Sequence, residues 1–175
     1  FDDEKGVVLI SDVIRNGLGK GVDVSVLQGA NVANEVADGH FCEATLGYTI
    51  KSNAVSFFYA FNTPTFRVQL ASDPIGVELC GGLKSIIGLG AGMSDGLNYA
   101  SNSKAAIVRM GVKEMIRFGQ TYFSGVAPAT FLESCGIASV FVESTSGRSR
   151  RCAEIFVRTG MAWNLIEKEV LQGQN

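Results

Sequence analysis

The sequence predicts two unlike parts in series: an α/β piece up to about Ser72, then an all-helical part. Three observations carry this reading. Val22, Val24 and Val26 alternate with polar residues and stop at Gly29, as a strand does. Phe66 to Leu70 is a second aromatic and β-branched run, set off by Pro64. After Asp73-Pro74 the apolar period moves to about 3.6 residues and strand signals almost vanish.

Each element follows in order. "VVLISDVIRNGLG" places Leu9, Val13 and Ile14 on a helical stripe that ends at Gly17 or Gly19. Helix, short loop and the valine strand form the tail of an α/β unit. "ANVANEVADG" is a short helix or a loop leading into one, and Phe57 to Phe61 closes a further helix. A helix from about Ile75 to Gly90 follows, rich in glycines that each cost about 1 kcal/mol against alanine. So many glycines point to close packing or close approach of a ligand. The next helix has Asn102 as its N-cap. On it Arg109, Lys113 and Arg117 make a polar face; Val108, Val112, Met115, Gly119 and Tyr122 lie toward another. "SRRCAEIFVRTG" and "AWNLIEKEVLQG" are two more helices, closed by Gly160 and Gly173.

Bulk properties exclude several functions. A chain of 175 residues, 46% hydrophobic, can bury a real core. A net charge of −2 argues against a binder of nucleic-acid backbones, which needs a basic surplus. No eighteen consecutive residues are apolar, which argues against a membrane span, and the acidic start "FDDEK" is unlike a signal peptide. Beginning at Phe1, the sequence reads as a piece of a longer polypeptide. Cys42, Cys80, Cys135 and Cys152 are widely spaced and His40 is the single histidine, a pattern against zinc and for reduced core thiols.

Three stretches carry candidate chemistry. In "ELCGGLKSIIGLGAGMSDG", Lys84 stands among apolar residues and glycines. A lysine there can snorkel to solvent or pair with Glu78 or Asp95. Alternatively it lines a cleft, where it polarises a carbonyl or supplies a proton. "GLGAG", Gly88 to Gly92, superficially resembles a phosphate loop, but it follows a helical stretch rather than a strand, so packing is the better reading. "SGRSRR" around Arg148 is either a solvated basic helix start or an anion seat built from a helix N-terminus and guanidinium groups.

"VLQGANVANEVADGHFCEATLG", "VELCGGLKSIIGLGAGMSDGL", "NSKAAIVRMGVKEMIRFG", "TFLESCGIAS", "RRCAEIFVRTG" and "IEKEVLQGQ" resemble, in order, the NAD-dependent glycerol-3-phosphate dehydrogenases of the eukaryotic cytosolic type. The resemblance spans nearly the whole chain. It implies that residues 1–72 are the C-terminal part of a nucleotide-binding (Rossmann) domain and residues 73–175 an all-α substrate domain. The family's glycine-rich fingerprint and a substrate-binding lysine would lie ahead of Phe1. The implied reaction is hydride transfer between NADH and dihydroxyacetone phosphate, giving sn-glycerol 3-phosphate. Lys84 matches the family's catalytic lysine. Arg148 matches its phosphate-binding arginine, which also serves the cofactor, and Ser149 stands at a neighbouring substrate position. Ala33 falls where the backbone touches the nicotinamide side of NAD. The resemblance further implies small-molecule substrates, a homodimer and a cytoplasmic location, with no nucleic-acid or membrane partner.

Four positions depart from the family pattern. Ser139 replaces the aspartate that partners the lysine, Glu143 a substrate-contacting threonine, Ser149 the asparagine after the phosphate arginine, and Ser85 the asparagine after the lysine. These departures favour one alternative: a catalytically impaired paralogue that serves as a binding or dimerisation partner. A different dehydrogenase built on the same plan is a third reading, disfavoured by the "VELCGGLKS" and "TFLESCG" blocks.

Overall fold

The computed structural model describes residues 6–19 and 21–170. One sheet of three strands, β1 (Val26–Gly29), β2 (Cys42–Gly47) and β3 (Phe66–Ala71), is ordered β1-β2-β3. β1 runs antiparallel to β2, pairing Leu27 with Leu46, and β2 runs parallel to β3, pairing Ala44 with Val68. Before the sheet stands α1 (Ile10–Leu18), and α2 (Ala33–Ala37) and α3 (Lys51–Phe61) connect its strands. After Ala71 the described residues are helical: α4 (Pro74–Gly96), α5 (Ser101–Tyr122), α6 (Ser139–Ser146), α7 (Arg148–Thr159) and α8 (Trp163–Val170). A 3-10 turn (Pro128–Leu132) and a π turn (Ser134–Ala138) lie between α5 and α6. The change of character at Asp73 is therefore where the sequence places it.

Several elements differ from expectation. The valine strand is shorter, because only Val26 to Gly29 pair with β2; Val22 and Val24 precede the ladder. β2 is absent from the sequence reading. It is the central strand and is buried on both faces: Ala44 and Leu46 pack toward Ala54 and Val68, while the Thr45 hydroxyl accepts from Cys135 N at 3.2 Å. A strand buried on both sides does not alternate in polarity. α1 buries Leu9 ahead of its first turn, yet Val13 and Ile14 are exposed. The α1 start is capped from a distance, since Glu78 Oε1 accepts from Ile10 N (2.5 Å) and Ser11 N (3.2 Å). α5 starts one residue before Asn102, with Ala100 as its N-cap, and Tyr122 is exposed. α7 ends at Gly160 in the left-handed conformation, φ 65°. Gly173, expected to close α8, lies outside the described residues.

α4 is the axis of the helical part. Asp73 caps it and does more than cap: Oδ1 accepts from Gly76 N (2.8 Å), and Oδ2 accepts from Ala127 N (2.9 Å) and Thr130 Oγ1 (2.6 Å). One buried carboxylate thus ties the start of α4 to the loop after α5. With 23 residues, α4 is long and apolar enough to span a bilayer. Here it is the core helix, packed against β1, β2, α5, α6 and, most extensively, α7. Val77, Leu79, Cys80 and Ile87 of α4 meet Met115, Phe131, Cys135 and Val140 in the main core. Its glycines explain the intimacy. A methyl added at Gly92 would overlap the Arg150 carbonyl oxygen and lie 2.9 Å from Ala153 Cβ; one at Gly96 would lie 2.6 Å from Val157 Cβ. "GLGAG" is packing, as expected. The cysteines are free thiols, three of them buried. A hydrogen bond to Cys135, together with burial, pushes the Cys80 thiol up, so it serves as core and not as a nucleophile.

The far end of α4 is held by charge. Asp95 accepts from Lys104 Nζ (2.6 Å) and from Arg150 Nη2 (2.6 Å) and Nε (2.7 Å); Arg150 also meets Glu154, which meets Arg158. Burial alone would raise the Asp95 carboxyl, but the hydrogen bonds and charges of Lys104 and Arg150 outweigh it and hold the carboxyl below its ordinary value. A depressed folded-state pKa stabilises at pH above the unfolded value and loses that contribution as pH falls through the folded value. Asp95→Asn is therefore expected to destabilise the protein most near neutral pH. The gap to the unmodified protein should shrink as pH falls below the ordinary carboxylate value of 3.8, read from urea midpoints across a falling pH series. A gap that does not change with pH would show that the carboxylate charge is not what holds the α4–α7 end.

Candidate active site

Lys84 lies one turn before Gly88 on α4, and Ser139 lies one turn before Glu143 on α6. The two helices meet along these rungs. Lys84 Nζ donates to Ser139 Oγ at 3.0 Å, and Ser139 Oγ donates to the Gly29 carbonyl at 3.4 Å. The next rung is Gly88 against Glu143: a Cβ at Gly88 would lie 2.7 Å from Glu143 Cγ. Gly92 and Gly96 continue the same stripe at four-residue spacing, each against α7. Lys84 thus heads a row of small residues along which α6 and α7 pack closely on α4. It is the one long side chain in that row, and it emerges where the row meets the end of β1.

Neither structural explanation for Lys84 holds in its simple form. Glu78 is engaged by the start of α1 and Asp95 by Lys104 and Arg150. Among the described residues Lys84 makes no ion pair, and it is half-buried rather than extended into solvent. An ammonium has three donors. One is used on Ser139, which leaves two for other acceptors.

The π turn sets this geometry. Ser134 Oγ donates to Glu43 O (2.5 Å) and accepts from Ala30 N (3.4 Å), and Cys135 N donates to Thr45 Oγ1. Gly136 has no room for a side chain, because a methyl there would overlap the Phe131 carbonyl. The turn is therefore pinned to the sheet, and α6 leaves it with Ser139 aimed at the end of β1. Local widening of a helix of this kind recurs at functional sites.

The second half of the corner is the start of α7. Gly147 is its N-cap, with no side-chain cap, and a Cβ at Gly147 would lie 2.6 Å from both Cδ and Oε1 of Glu143. Glu143 therefore reaches from α6 past Gly88 to the first turn of α7. Arg148 opens that helix and is exposed; Ser149 follows, half-buried. Lys84 and the start of α7 share one corner through the Gly88–Glu143–Gly147 contact. Arg150, in the same basic run, belongs to the Asp95 network instead. Ala33 is the first residue of α2, exposed, four residues beyond Gly29.

Sequence patterns did not reveal Gly29, Gly88 and Gly147 as members of the corner. The spacing Lys84, Gly88, Gly92, Gly96 was the available signal, since residues four apart share a helix face. A wider apolar groove of about 570 Å³ runs between α1, β1 and α4. None of Ala33, Lys84, Arg148 or Ser149 lines it.

A three-stranded sheet feeds a helical half, with a half-buried lysine at their junction and an arginine-led helix start beside it. Family comparisons sharpen this. Residues 3–54 match the N-terminal model, and residues 73–175 the C-terminal model, of NAD-dependent glycerol-3-phosphate dehydrogenase, and the chain belongs to that family. The human glycerol-3-phosphate dehydrogenase 1-like protein is 48% identical over 171 residues, 97% of this chain and 48% of its own length. The cytoplasmic NAD(+) glycerol-3-phosphate dehydrogenase of Bos taurus is 47% identical with the same coverage of each chain. Solved glycerol-3-phosphate dehydrogenases from Plasmodium falciparum and Saccharomyces cerevisiae superpose with a TM-score of 0.89 each. Their identities are 39% and 35%; they cover 95% and 98% of this chain, against 47% and 51% of their own. The chain spans about half the length of the curated relatives it matches.

Proposed function

We propose that the protein is an NAD-dependent glycerol-3-phosphate dehydrogenase, interconverting dihydroxyacetone phosphate and sn-glycerol 3-phosphate. The observation that carries this reading is the Lys84 ammonium, bonded to Ser139 with two donors to spare at the junction of sheet and helices. NAD, when bound, supplies or accepts the hydride. In the reducing direction negative charge grows on the ketone oxygen; Lys84 stabilises it and delivers the proton, and in the reverse direction it takes the proton from the alcohol. Ser139 relays the position of Lys84 to the end of β1. Arg148 and Ser149 hold the substrate phosphate at the start of α7, where a helix N-terminus and a guanidinium suit an anion. Arg148 and the backbone at Ala33 serve the cofactor.

Residues 1–72 then form the tail of the nucleotide-binding domain and residues 73–175 the substrate domain. The residues present fit the nicotinamide end alone. β1 ends at Gly29 beside the lysine's partner, with Ala33 exposed just beyond, and no glycine-rich turn after a strand occurs among the described residues. The relatives named as cytoplasmic support a cytoplasmic location for this enzyme, which we take to be a homodimer.

The departures set the expected rate. A hydroxyl at Ser139 orients the ammonium but brings no charge to hold its proton, and Glu143 brings a negative charge where a phosphate is to sit. The protein is expected to reduce dihydroxyacetone phosphate at least about a hundredfold more slowly than a relative with the family residues, since groups acting as a unit are lost together. Ser139→Asp, Glu143→Thr and Ser149→Asn combined should raise kcat/KM more than any single change. NADH oxidation over a substrate series reads both. Ordinary family rates in the unmodified protein would remove any role for these three positions, and no turnover in the triple variant would sink the dehydrogenase reading. The impaired-paralogue alternative rests on the same three positions, Ser139, Glu143 and Ser149, and wild-type turnover separates the two.

A further inference from the structure

We propose that Glu143 determines specificity: its carboxylate is a built-in occupant of the anion seat at the start of α7, and it turns the site toward an uncharged hydroxyketone over the phosphorylated form. This rests on the ketone-reductase reading of Lys84. Glu143 stands one turn beyond Ser139 on α6, on the face that carries the lysine's partner. Its side chain passes through a slot that two glycines keep open. A Cβ at Gly88 would lie 2.7 Å from Cγ and 3.1 Å from Oε1; one at Gly147 would lie 2.6 Å from Cδ and from Oε1. The carboxylate is thus delivered to the N-cap of α7, a helix with no side-chain cap of its own. A negative group there is favoured by the helix dipole, whose positive end lies at the first turn.

Those are the same features that would attract a substrate phosphate. Two anions cannot share them without repulsion, and displacing Glu143 means moving a half-buried side chain out from between α4 and α7. An uncharged substrate meets the opposite situation. A terminal hydroxyl can donate to Glu143, while the ketone oxygen meets Lys84. The chemistry is unchanged in either case: hydride passes from the reduced nicotinamide to the carbonyl carbon, the proton passes from Lys84 to the oxygen, and the oxidised cofactor leaves. Only the group at the far end of the substrate differs, so the effect belongs in relative specificity.

The test compares NADH oxidation by the intact protein with dihydroxyacetone and with dihydroxyacetone phosphate, in wild type, Glu143→Gln, Glu143→Thr and Glu143→Asp. Removing the charge should raise the ratio of kcat/KM for the phosphorylated over the free ketone by about tenfold or more, chiefly through a lower KM for the phosphorylated form. Glu143→Asp should keep a low ratio. Ratios that agree within about twofold across all four proteins would overturn the proposal. Calorimetric titration with inorganic phosphate supplies a readout without turnover. Glu143→Gln should bind it about tenfold more tightly than wild type, and equal affinities would also overturn the proposal. Tighter phosphate binding in a protein that reduces neither ketone would leave the Glu143 assignment standing and sink the reductase reading. Glu143→Thr, shorter and neutral, carries the comparison if the glutamine variant does not fold.

Discussion

Lys84→Met is expected to lower the NADH-dependent reduction of dihydroxyacetone phosphate by about a thousandfold, with a much smaller change in KM. Methionine keeps the unbranched stem and so the packing at the head of the α4 stripe, but it offers nothing to a developing alkoxide. The loss should therefore fall on kcat, where an interaction made in the transition state is felt. Ser139 loses its donor but keeps the Gly29 carbonyl as an acceptor for its own hydroxyl, so the corner retains part of its bonding. Melting temperature and circular dichroism should stay close to wild type. A variant that keeps its rate to within about tenfold would show that Lys84 is not the proton donor, whatever its placement.

Gly92→Ala is expected to destabilise the fold by about 3 kcal/mol or more, one of the largest costs for adding a single methyl group anywhere in this chain. The new Cβ would run into the Arg150 carbonyl, which is backbone and cannot swing aside, with Ala153 Cβ behind it. To admit it, α7 must move off α4, and the Asp95–Arg150 contacts and the position of Arg148 move with it. Gly82 on the same helix is the control. It is exposed, and no atom lies within 4 Å of an added methyl. Gly82→Ala should accordingly be neutral or stabilise by up to about 1 kcal/mol, the ordinary helix preference for alanine. Urea unfolding of the two variants reads the contrast. Equal midpoints would mean that α7 does not depend on the glycine stripe for its seat.

These two expectations sit on one helix. The glycines that let α6 and α7 approach α4 also bring Ser139 to Lys84 and Glu143 to Gly147. Packing and chemistry share a stripe, so Gly88 and Gly92 cannot be changed without moving the corner. Ser139 bonds Lys84 and Glu143 packs on Gly88, while the stripe beyond the lysine is glycine at every step.

Local chemistry made much of this legible in the sequence. Residue spacing alone determined that strands end before Asp73 and helices follow, that a helix starts just after Asp73-Pro74, that Gly160 ends α7, and that "GLGAG" is packing; that this helix runs on to Gly96 was not legible. Lys84 stood out because a lysine among aliphatics and glycines needs a reason, and Arg148 because three arginines crowd one helix start. Helix and strand preferences act between residues a few positions apart, so a reader of the chain can see them. The tertiary structure alone decided the rest. β2 was hidden because a central strand is buried on both faces and shows no alternation. Val13 and Ile14 form an apolar stripe that the described residues leave exposed. Glu78 and Asp95, equally plausible partners for Lys84 by sequence, are taken by the start of α1 and by Lys104 with Arg150. Ser139 holds the lysine because the π turn, tied to Glu43, Thr45 and Ala30, aims α6 at the end of β1. Each of these outcomes depends on contacts between residues tens of positions apart, and no local preference encodes which of several competing partners will be nearest once the helices have packed.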